Sequence, residues 1–174
     1  EKMTSFYDSY NYQKYWQNRQ YENKAECLAL KRLFQKINRK KEKTILDVGA
    51  GFGRLTAYYA NLFKNVIFTE PSQKLITKAQ KRLKKFNNIN YQIGRFEAIK
   101  VNSHAPQVVI MVRVAHHLNN LDEVFKKIAR MLPDGGFFIL EFANKINFKS
   151  RLKALFSGDI KVLNTPVSID RRSS

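Results

Sequence analysis

The sequence predicts a single α/β domain in which helices cover both faces of a parallel sheet, and two observations carry this prediction. Short apolar runs alternate with longer amphipathic runs between residues 44 and 142 of the 174-residue chain, a pattern typical of parallel strands joined by crossover helices. The first apolar run also breaks into three alternate glycines before a helical pattern begins, as expected where a buried strand turns sharply into a helix.

Residues 1–43 are expected to form an aromatic N-terminal segment followed by one amphipathic helix. Apolar residues recur at near-helical spacing from Glu22 to about Ile37, and a basic stretch separates this helix from the first strand. Aromatic side chains before and at the start of the helix could pack on the domain, or they could form a lid that shields a reaction site from water. The lid candidates are Tyr15, Trp16, Arg19 and Tyr21.

Residues 44–144 are expected to form the core of the domain. The predicted strands are Thr44–Val48, Val66–Glu70, Ile89–Ile93, Val108–Val112 and Phe137–Phe142. Helical runs are predicted at Arg54–Phe63, Gln73–Phe86 and Leu121–Leu132. In the last helix one apolar stripe is expected to face the core, with Lys126, Lys127 and Arg130 on other faces. Residues 145–174 are expected to be an irregular basic segment.

Composition excludes several classes of site. The single cysteine, Cys27, excludes an internal disulfide and a cysteine-based zinc site. His116 and His117 are adjacent, so their side chains are expected to diverge, and no metal site is predicted. No apolar run approaches the ~20 residues of a membrane helix, and the start lacks the apolar centre of a signal peptide. The sequence therefore predicts no membrane span and a cytoplasmic location.

The chain is strongly basic. It has 32 Lys+Arg against 14 Asp+Glu, a formal net charge of +18, which would suit a polyanion such as RNA or a membrane surface. The positive residues are dispersed over predicted solvent faces and ends of helices, which is typical of charges that serve solvation. Nucleic acid is therefore an alternative partner that the sequence does not favour.

The turn after the first strand predicts a nucleotide-like cofactor. Asp47, Gly49, Gly51 and Gly53 follow the order D-x-G-x-G-x-G. Glycines let backbone amides approach a ligand, and the helix N-terminus beyond them offers unpaired N–H groups. A dinucleotide fingerprint would read G-x-G-x-x-G, with its third glycine or alanine where this chain has Arg54. The spacing argues against NAD and for S-adenosylmethionine.

An acidic residue at the end of the second strand supports this hypothesis. Glu70 follows the apolar strand, and its distance from Asp47 is close to the ~20-residue offset of a nucleotide-binding βαβ unit. A carboxylate at this position can accept hydrogen bonds from both ribose hydroxyls. A solvated strand-end acid is the simpler alternative.

The chain resembles the class I S-adenosylmethionine-dependent methyltransferases. Four segments carry the resemblance: Ile45–Gly53, Glu70–Ser72, Val114–Leu118 and Arg130–Gly136. The last two look most like the ubiquinone and menaquinone biosynthesis branch, which acts mostly on small molecules. The resemblance implies a Rossmann-like doubly wound sheet with parallel strand order 3-2-1-4-5. The family's usual sixth and seventh strands are expected to be missing or incomplete, because few residues follow Phe142.

The resemblance also implies which residues of the turn hold the cofactor. The turn from Gly49 through Ala50 and Gly51 to Gly53 would pass under the methionine and ribose. Asp47 would orient the methionine amino group, directly or through water, and Glu70 would bind the ribose.

Further cofactor contacts are implied beyond the turn. Pro71 would flank the adenine, and Phe96 would cover its other face or meet its ring nitrogens through the backbone. The backbone near Val112 and Arg113 would contact the methionine amine. His116 and His117 would wall the acceptor pocket with the lid candidates, and His117 is the candidate proton acceptor.

One motif departs from the family. Where the family usually has Gly-Asp-Ala-Glu, with the aspartate receiving the adenine amino group, this chain has Gly94-Arg95-Phe96-Glu97. Arg95 cannot accept a hydrogen bond. Either Glu97 substitutes, or adenine recognition is weaker, or the loop is displaced.

The predicted function is transfer of a methyl group to O, N or C of a small-molecule acceptor, with S-adenosylhomocysteine as the other product. Such transfer can rest mostly on proximity and orientation, so no nucleophile or metal is required. Two alternatives stay open: an RNA or protein methyltransferase, suggested by the basic charge, and a noncatalytic methyltransferase-like binding domain, suggested by Arg95 and the short C-terminal end.

Overall fold

The computed structural model describes residues 12–38, 41–100, 105–118 and 120–142. Its helices are α1 (Tyr12–Gln17), α2 (Gln20–Ile37), α3 (Thr56–Tyr59), α4 (Gln73–Arg82) and α5 (Leu121–Met131). Its strands are β1 (Thr44–Val48), β2 (Asn65–Glu70), β3 (Ile89–Ile93), β4 (Val108–Val112) and β5 (Phe137–Glu141). Short 3₁₀ helices cover Ala60–Leu62, Phe96–Ala98 and Ala115–His117. Residues 1–11 of the aromatic segment and the predicted segment 145–174 lie outside the described residues.

The five strands form one parallel sheet in the order β3-β2-β1-β4-β5, which confirms the predicted fold class. β1 is central, and its last residue, Val48, lies opposite Thr69 of β2 and Met111 of β4. The strand order reverses between β1 and β4. Ligands of open α/β sheets bind beyond the carboxyl ends of the strands at such a reversal, so the fold places the candidate site at the ends of β1, β2 and β4.

Both faces of the sheet are covered. Leu46 of β1 packs in an apolar cluster with Val124 and Ile128 of α5, whereas the adjacent Ile45 packs in a second cluster with Phe34 of α2. Every residue of β1 is buried. Strands buried on both faces are continuous apolar runs, which is why this part of the sequence shows no polar alternation.

The helix predicted at Arg54–Phe63 is much shorter in the structure. The glycine turn continues to Leu55, with the Gly53 N–H donating to the Ala50 carbonyl at 3.1 Å. At the other end, the Asn88 side chain donates to the carbonyls of Ala60 and Phe63 at 2.8 and 2.9 Å. The prediction was wrong here because apolar periodicity does not register hydrogen bonds that begin or end a helix.

α4 is also shorter than its predicted range. It begins after Ser72, whose Oγ accepts a hydrogen bond from the Leu75 N–H at 3.2 Å, as N-cap serines do. It ends at Arg82, where the sequence predicts continuation to Phe86. In the part of the chain that the structure describes, no helix has the length and apolar character needed to cross a membrane.

Candidate functional site

The three glycines of the turn all have positive φ angles, but they have different surroundings. A Cβ at Gly53 would lie 2.6 Å from Leu83 Cδ1, and one at Gly49 would lie 2.5 Å from Val114 Cγ2. A Cβ at Gly51, where φ is +61°, would meet nothing within 4 Å. Packing therefore accounts for Gly49 and Gly53, whereas Gly51 borders open space.

Glu70 lies directly beside this open space. Its side chain is 4% exposed, Oε2 accepts a hydrogen bond from the Gly51 N–H at 3.0 Å, and Oε1 accepts one from the Ser72 N–H at 3.0 Å. A buried carboxylate is tolerated only with such partners. The two backbone donors orient the carboxylate at the end of β2, next to the one glycine of this turn that faces open space.

Asp47 is bound beneath the turn by α3. It is buried, and its Oδ2 accepts hydrogen bonds from Thr56 Oγ1 at 2.7 Å and from the Tyr59 hydroxyl. Burial raises the pKa of Asp47 from 3.8 to about 6, against the opposing effect of these two hydrogen bonds. Burial also raises the pKa of Tyr59, and the Asp47 charge adds to that shift. Asp47 thus connects β1 to α3 under the proposed cofactor position.

The loop after β3 differs from the simplest expectation for adenine binding. The Phe96 side chain is buried in the cluster under α5, while Arg95 and Glu97 are exposed. A ring buried in the core cannot cover one face of an adenine. Of the two roles expected for Phe96, the structure is therefore compatible with the second, contact with the adenine ring nitrogens through the backbone. Pro71 is half-buried beside Glu70.

The end of β4 carries a second group of charged residues. Val112 is half-buried, and Arg113 has a left-handed backbone with φ +60° and donates its N–H to the Glu141 carbonyl at 3.1 Å. Its guanidinium lies against Glu26 of α2, with Nη2 at 2.5 Å and Nε at 3.1 Å from Oε1. The other Glu26 oxygen, Oε2, accepts from Arg54 Nη2 at 2.6 Å.

Trp16 of α1 joins this group through its ring. Arg54 Cζ lies 3.5 Å from the centre of the Trp16 ring and Arg113 Cζ lies 5.0 Å from it, within the range of cation–π attraction. Tyr15 contacts the edge of Trp16, with 5.4 Å between ring centres, and Arg19 lies over Tyr15 at 4.5 Å. Tyr21 is 92% exposed, so of the four lid candidates it is the one that the structure does not bring to the group.

His116 and His117 lie on the 3₁₀ turn that follows β4, and both are half-buried. Their ring centres are 3.9 Å apart with an angle of 45° between the planes. The expected divergence of these side chains is therefore wrong, because the tight turn brings the two rings into contact. Among the described residues, no group of three His, Cys, Asp or Glu could hold a metal ion.

Comparison with known proteins places this chain in a family. A family model described as a methyltransferase domain matches residues 46–140, which is more than half of the chain. The chain belongs to this methyltransferase family. The class predicted from the sequence is thus confirmed, together with S-adenosylmethionine as the cofactor of the domain.

Individual methyltransferases resemble the chain over part of their length. It is 28% identical over 118 residues to the ubiquinone biosynthesis O-methyltransferase of Agrobacterium fabrum, covering 66% of this chain and 46% of that protein. It is 32% identical over 82 residues to phosphoethanolamine N-methyltransferase 1 of Caenorhabditis elegans, covering 47% of this chain and 17% of that protein. The chain therefore spans less than half the length of these curated relatives.

A solved structure shows the same fold. The YcgJ protein of Bacillus subtilis superimposes with a TM-score of 0.61 at 19% identity, over 75% of this chain and 58% of that one.

Several residues that contact the predicted site residues were missed by sequence reasoning. Glu26, Thr56, Tyr59 and Lys127 all contact predicted site residues or their loops. Thr56 and Tyr59 could have been suspected, because they are polar residues in the helical run after the glycine turn. Glu26 has no such signal, since its arginine partners are remote in sequence.

Proposed function

We propose that this protein transfers a methyl group from S-adenosylmethionine to O, N or C of a small-molecule acceptor. The observation that carries the proposal is the pairing of Gly51 with Glu70: an open space where a Cβ is missing lies beside a buried, oriented carboxylate. A nucleoside needs both features, because its ribose must approach the backbone closely and its hydroxyls must find an acceptor.

The residues present fit the cofactor. Glu70 would accept hydrogen bonds from the ribose, and the turn from Gly49 through Ala50 and Gly51 to Gly53 would lie under the ribose and methionine. Asp47 would hold that turn in place from below through Thr56 and Tyr59.

The remaining contacts lie at the ends of β2, β3 and β4. Pro71 and the backbone of Phe96 and Glu97 would meet the adenine, and the backbone of Val112 and Arg113 would meet the methionine end. When bound, S-adenosylmethionine supplies a methyl group activated by a sulfonium leaving group. The chain's own residues then need only orient the acceptor and exclude water, with His117 as the proton acceptor where the acceptor group must lose a proton.

Local charge supports a small acceptor over RNA. The arginines around Trp16 are paired: Arg19 lies 2.7 Å from Glu22, and Glu26 bridges Arg54 and Arg113. The net charge of +18 is therefore not concentrated on these described side chains. Relatives named for ubiquinone biosynthesis and for phosphoethanolamine support oxygen or nitrogen of a small molecule as the acceptor. A cytoplasmic location stays a prediction from the sequence.

Calorimetry with S-adenosylhomocysteine tests the cofactor assignment. We expect the wild type to bind, the Glu70→Gln variant to bind at least about tenfold more weakly because a charged acceptor is lost, and the control Glu42→Gln, at an exposed position, to bind like the wild type. Absence of binding to the wild type would refute the proposal.

Methyl transfer from labelled S-adenosylmethionine tests the acceptor class. We expect label in small molecules of a cell extract and none in its RNA or protein fractions. Label in RNA, with affinity falling steeply as salt rises, would instead support the alternative that the basic charge favours. Binding without transfer to any fraction would support a noncatalytic domain.

A further inference from the structure

Lys127 of α5 binds the loop that follows β3 through three hydrogen bonds. Its Nζ donates to the carbonyls of Phe96, Glu97 and Ile99, each at 2.8 Å, and lies 4.9 Å from the centre of the Phe96 ring. The sequence predicted that Lys127 lies outside the apolar stripe of α5, on another face of the helix. The structure instead shows a half-buried lysine that joins α5 to this loop.

Three converging carbonyls favour a cation. Their partial negative charges repel one another when they point at a common centre, and a lysine ammonium has three donors, one for each carbonyl. Burial lowers the pKa of Lys127, and the charge of Glu97 opposes that effect. The geometry restrains the backbone from Phe96 to Ile99 more tightly than a 3₁₀ turn of three residues does alone.

The same loop is connected to the proposed ribose site. The N–H of Gly94, at the start of the loop, donates to the Glu70 carbonyl at 3.2 Å. β3 lies beside β2 in the sheet, so a nucleoside with its ribose at Glu70 and its base directed toward β3 meets this loop. The loop is thus tied to Glu70 at one end and to Lys127 at the other.

Because of Arg95, recognition of the base depends on how the rest of this loop is positioned. Its side chain is exposed and cannot accept a hydrogen bond from an adenine amino group. The Phe96 ring is buried. Recognition of the base by this loop therefore falls to its backbone groups or to the exposed Glu97 carboxylate, and both are placed only as well as the loop is restrained.

We propose that Lys127 is a positioning residue for adenine recognition, holding residues 96–99 where their backbone can meet the base. The inference rests on the proposed function, since it assumes a nucleoside at Glu70. Lys127 itself does not contact the cofactor. It acts through three carbonyls of the loop.

The test compares Lys127→Met with Lys126→Met. Methionine keeps the length of the side chain and removes all three donors. Lys126 is its neighbour on α5, is 60% exposed and pairs with Glu123 at 3.2 Å, so it controls for loss of one positive charge. Calorimetry measures the Kd of each variant for S-adenosylhomocysteine and for S-inosylhomocysteine, in which the adenine amino group is replaced by oxygen.

We expect the wild type and Lys126→Met to prefer S-adenosylhomocysteine to the same extent. Lys127→Met should bind S-adenosylhomocysteine about tenfold more weakly, the scale of one charge-assisted hydrogen bond, and should lose at least half of the preference between the two ligands. Lys127→Arg should give an intermediate preference. The three carbonyls converge on a single nitrogen in the wild type, and a planar guanidinium cannot donate to all three from one nitrogen. This variant also serves if the methionine variant does not fold.

Two results would overturn the inference. Equal weakening of both ligands would show that Lys127 only stabilises the fold, and a wild type without preference would show that the base is not recognised. If the wild type binds neither ligand, the proposed function itself fails, which is a distinct outcome.

Discussion

Glu26 and Arg113 are 87 residues apart in the sequence, yet one oxygen of Glu26 accepts two hydrogen bonds from the Arg113 guanidinium, from Nη2 at 2.5 Å and from Nε at 3.1 Å. The second oxygen accepts from Arg54, which lies in the glycine turn directly after Gly53. A single carboxylate of α2 therefore connects the turn to the end of β4, on the side of the site where Trp16 packs.

The Glu26→Gln substitution should destabilise the protein. It leaves the buried Arg54 without its charged acceptor and leaves the half-buried Arg113 with Glu141 alone, whose Oε2 lies 3.7 Å from Nε. We therefore expect a loss of about 1–3 kcal/mol in the free energy of unfolding. Urea denaturation followed by circular dichroism measures it. The control Glu22→Gln breaks an exposed pair with Arg19 on the same helix and should cost less than about 0.5 kcal/mol. Equal losses in both variants would contradict a special role for Glu26.

The Trp16→Leu substitution should weaken the attachment of α1. α1 has only six residues, too few to be stable alone, and Trp16 is in contact with two arginines of the core. We expect a loss of about 1–2 kcal/mol, with faster hydrogen exchange confined to α1 and the first turn of α2. Tyr21→Leu, at a position 92% exposed, should leave both measurements unchanged. Unaltered exchange in Trp16→Leu would show that other contacts hold α1.

Alanine substitutions at two glycines of the turn should separate binding from stability. Gly51→Ala adds a Cβ where nothing lies within 4 Å, so we expect a loss of about 1–2 kcal/mol in stability from the positive φ together with loss of S-adenosylhomocysteine binding. Gly53→Ala forces a Cβ against the buried Leu83 and should cost about 2–4 kcal/mol from φ strain and overpacking. Thermal melting and calorimetry check the pair. Strong binding by Gly51→Ala would exclude the open space as the cofactor position.

The buried Asp47 should make stability depend on pH. Its folded-state pKa of about 6 lies above the ordinary value of 3.8, so the folded protein binds more protons than the unfolded chain between these values. The protonated Asp47 therefore stabilises the folded protein. This contribution is complete below the unfolded-state pKa of 3.8 and is lost as pH rises through the folded-state pKa of about 6. The unfolding free energy of the wild type, relative to that of Asp47→Asn, should therefore fall by about 2–3 kcal/mol from pH 4 to pH 7.

Two further variants bracket this pH effect. Tyr59→Phe removes a hydrogen bond that lowers the pKa of Asp47, so the fall should shift to higher pH. Asp134→Asn, at an exposed turn, should follow the wild type at every pH. Parallel profiles for wild type and Asp47→Asn would show that Asp47 does not titrate in this window.

Local sequence patterns predicted the sheet well. β1, β3 and β4 have the predicted bounds. For β1 and β4 the reason is that buried strands are apolar runs bounded by polar and glycine residues, whereas β3 is only partly buried and mixes apolar with polar residues. The length of α3 was not predicted, since Asn88 ends it from a later loop. The buried position of the Phe96 ring was also missed, because a single aromatic residue in a loop carries no periodic signal.

The sequence by itself determined the alternating fold and the methyltransferase class. It also identified the two residues on which the proposed cofactor site is built, Gly51 and Glu70, because strand runs, glycine spacing and strand-end acids are local features. Only the tertiary structure decided which glycine borders open space, which lid candidates reach the core, and that Glu26 and Lys127 join distant segments. These are contacts between side chains far apart along the chain, and their partners are set by packing that no local pattern encodes.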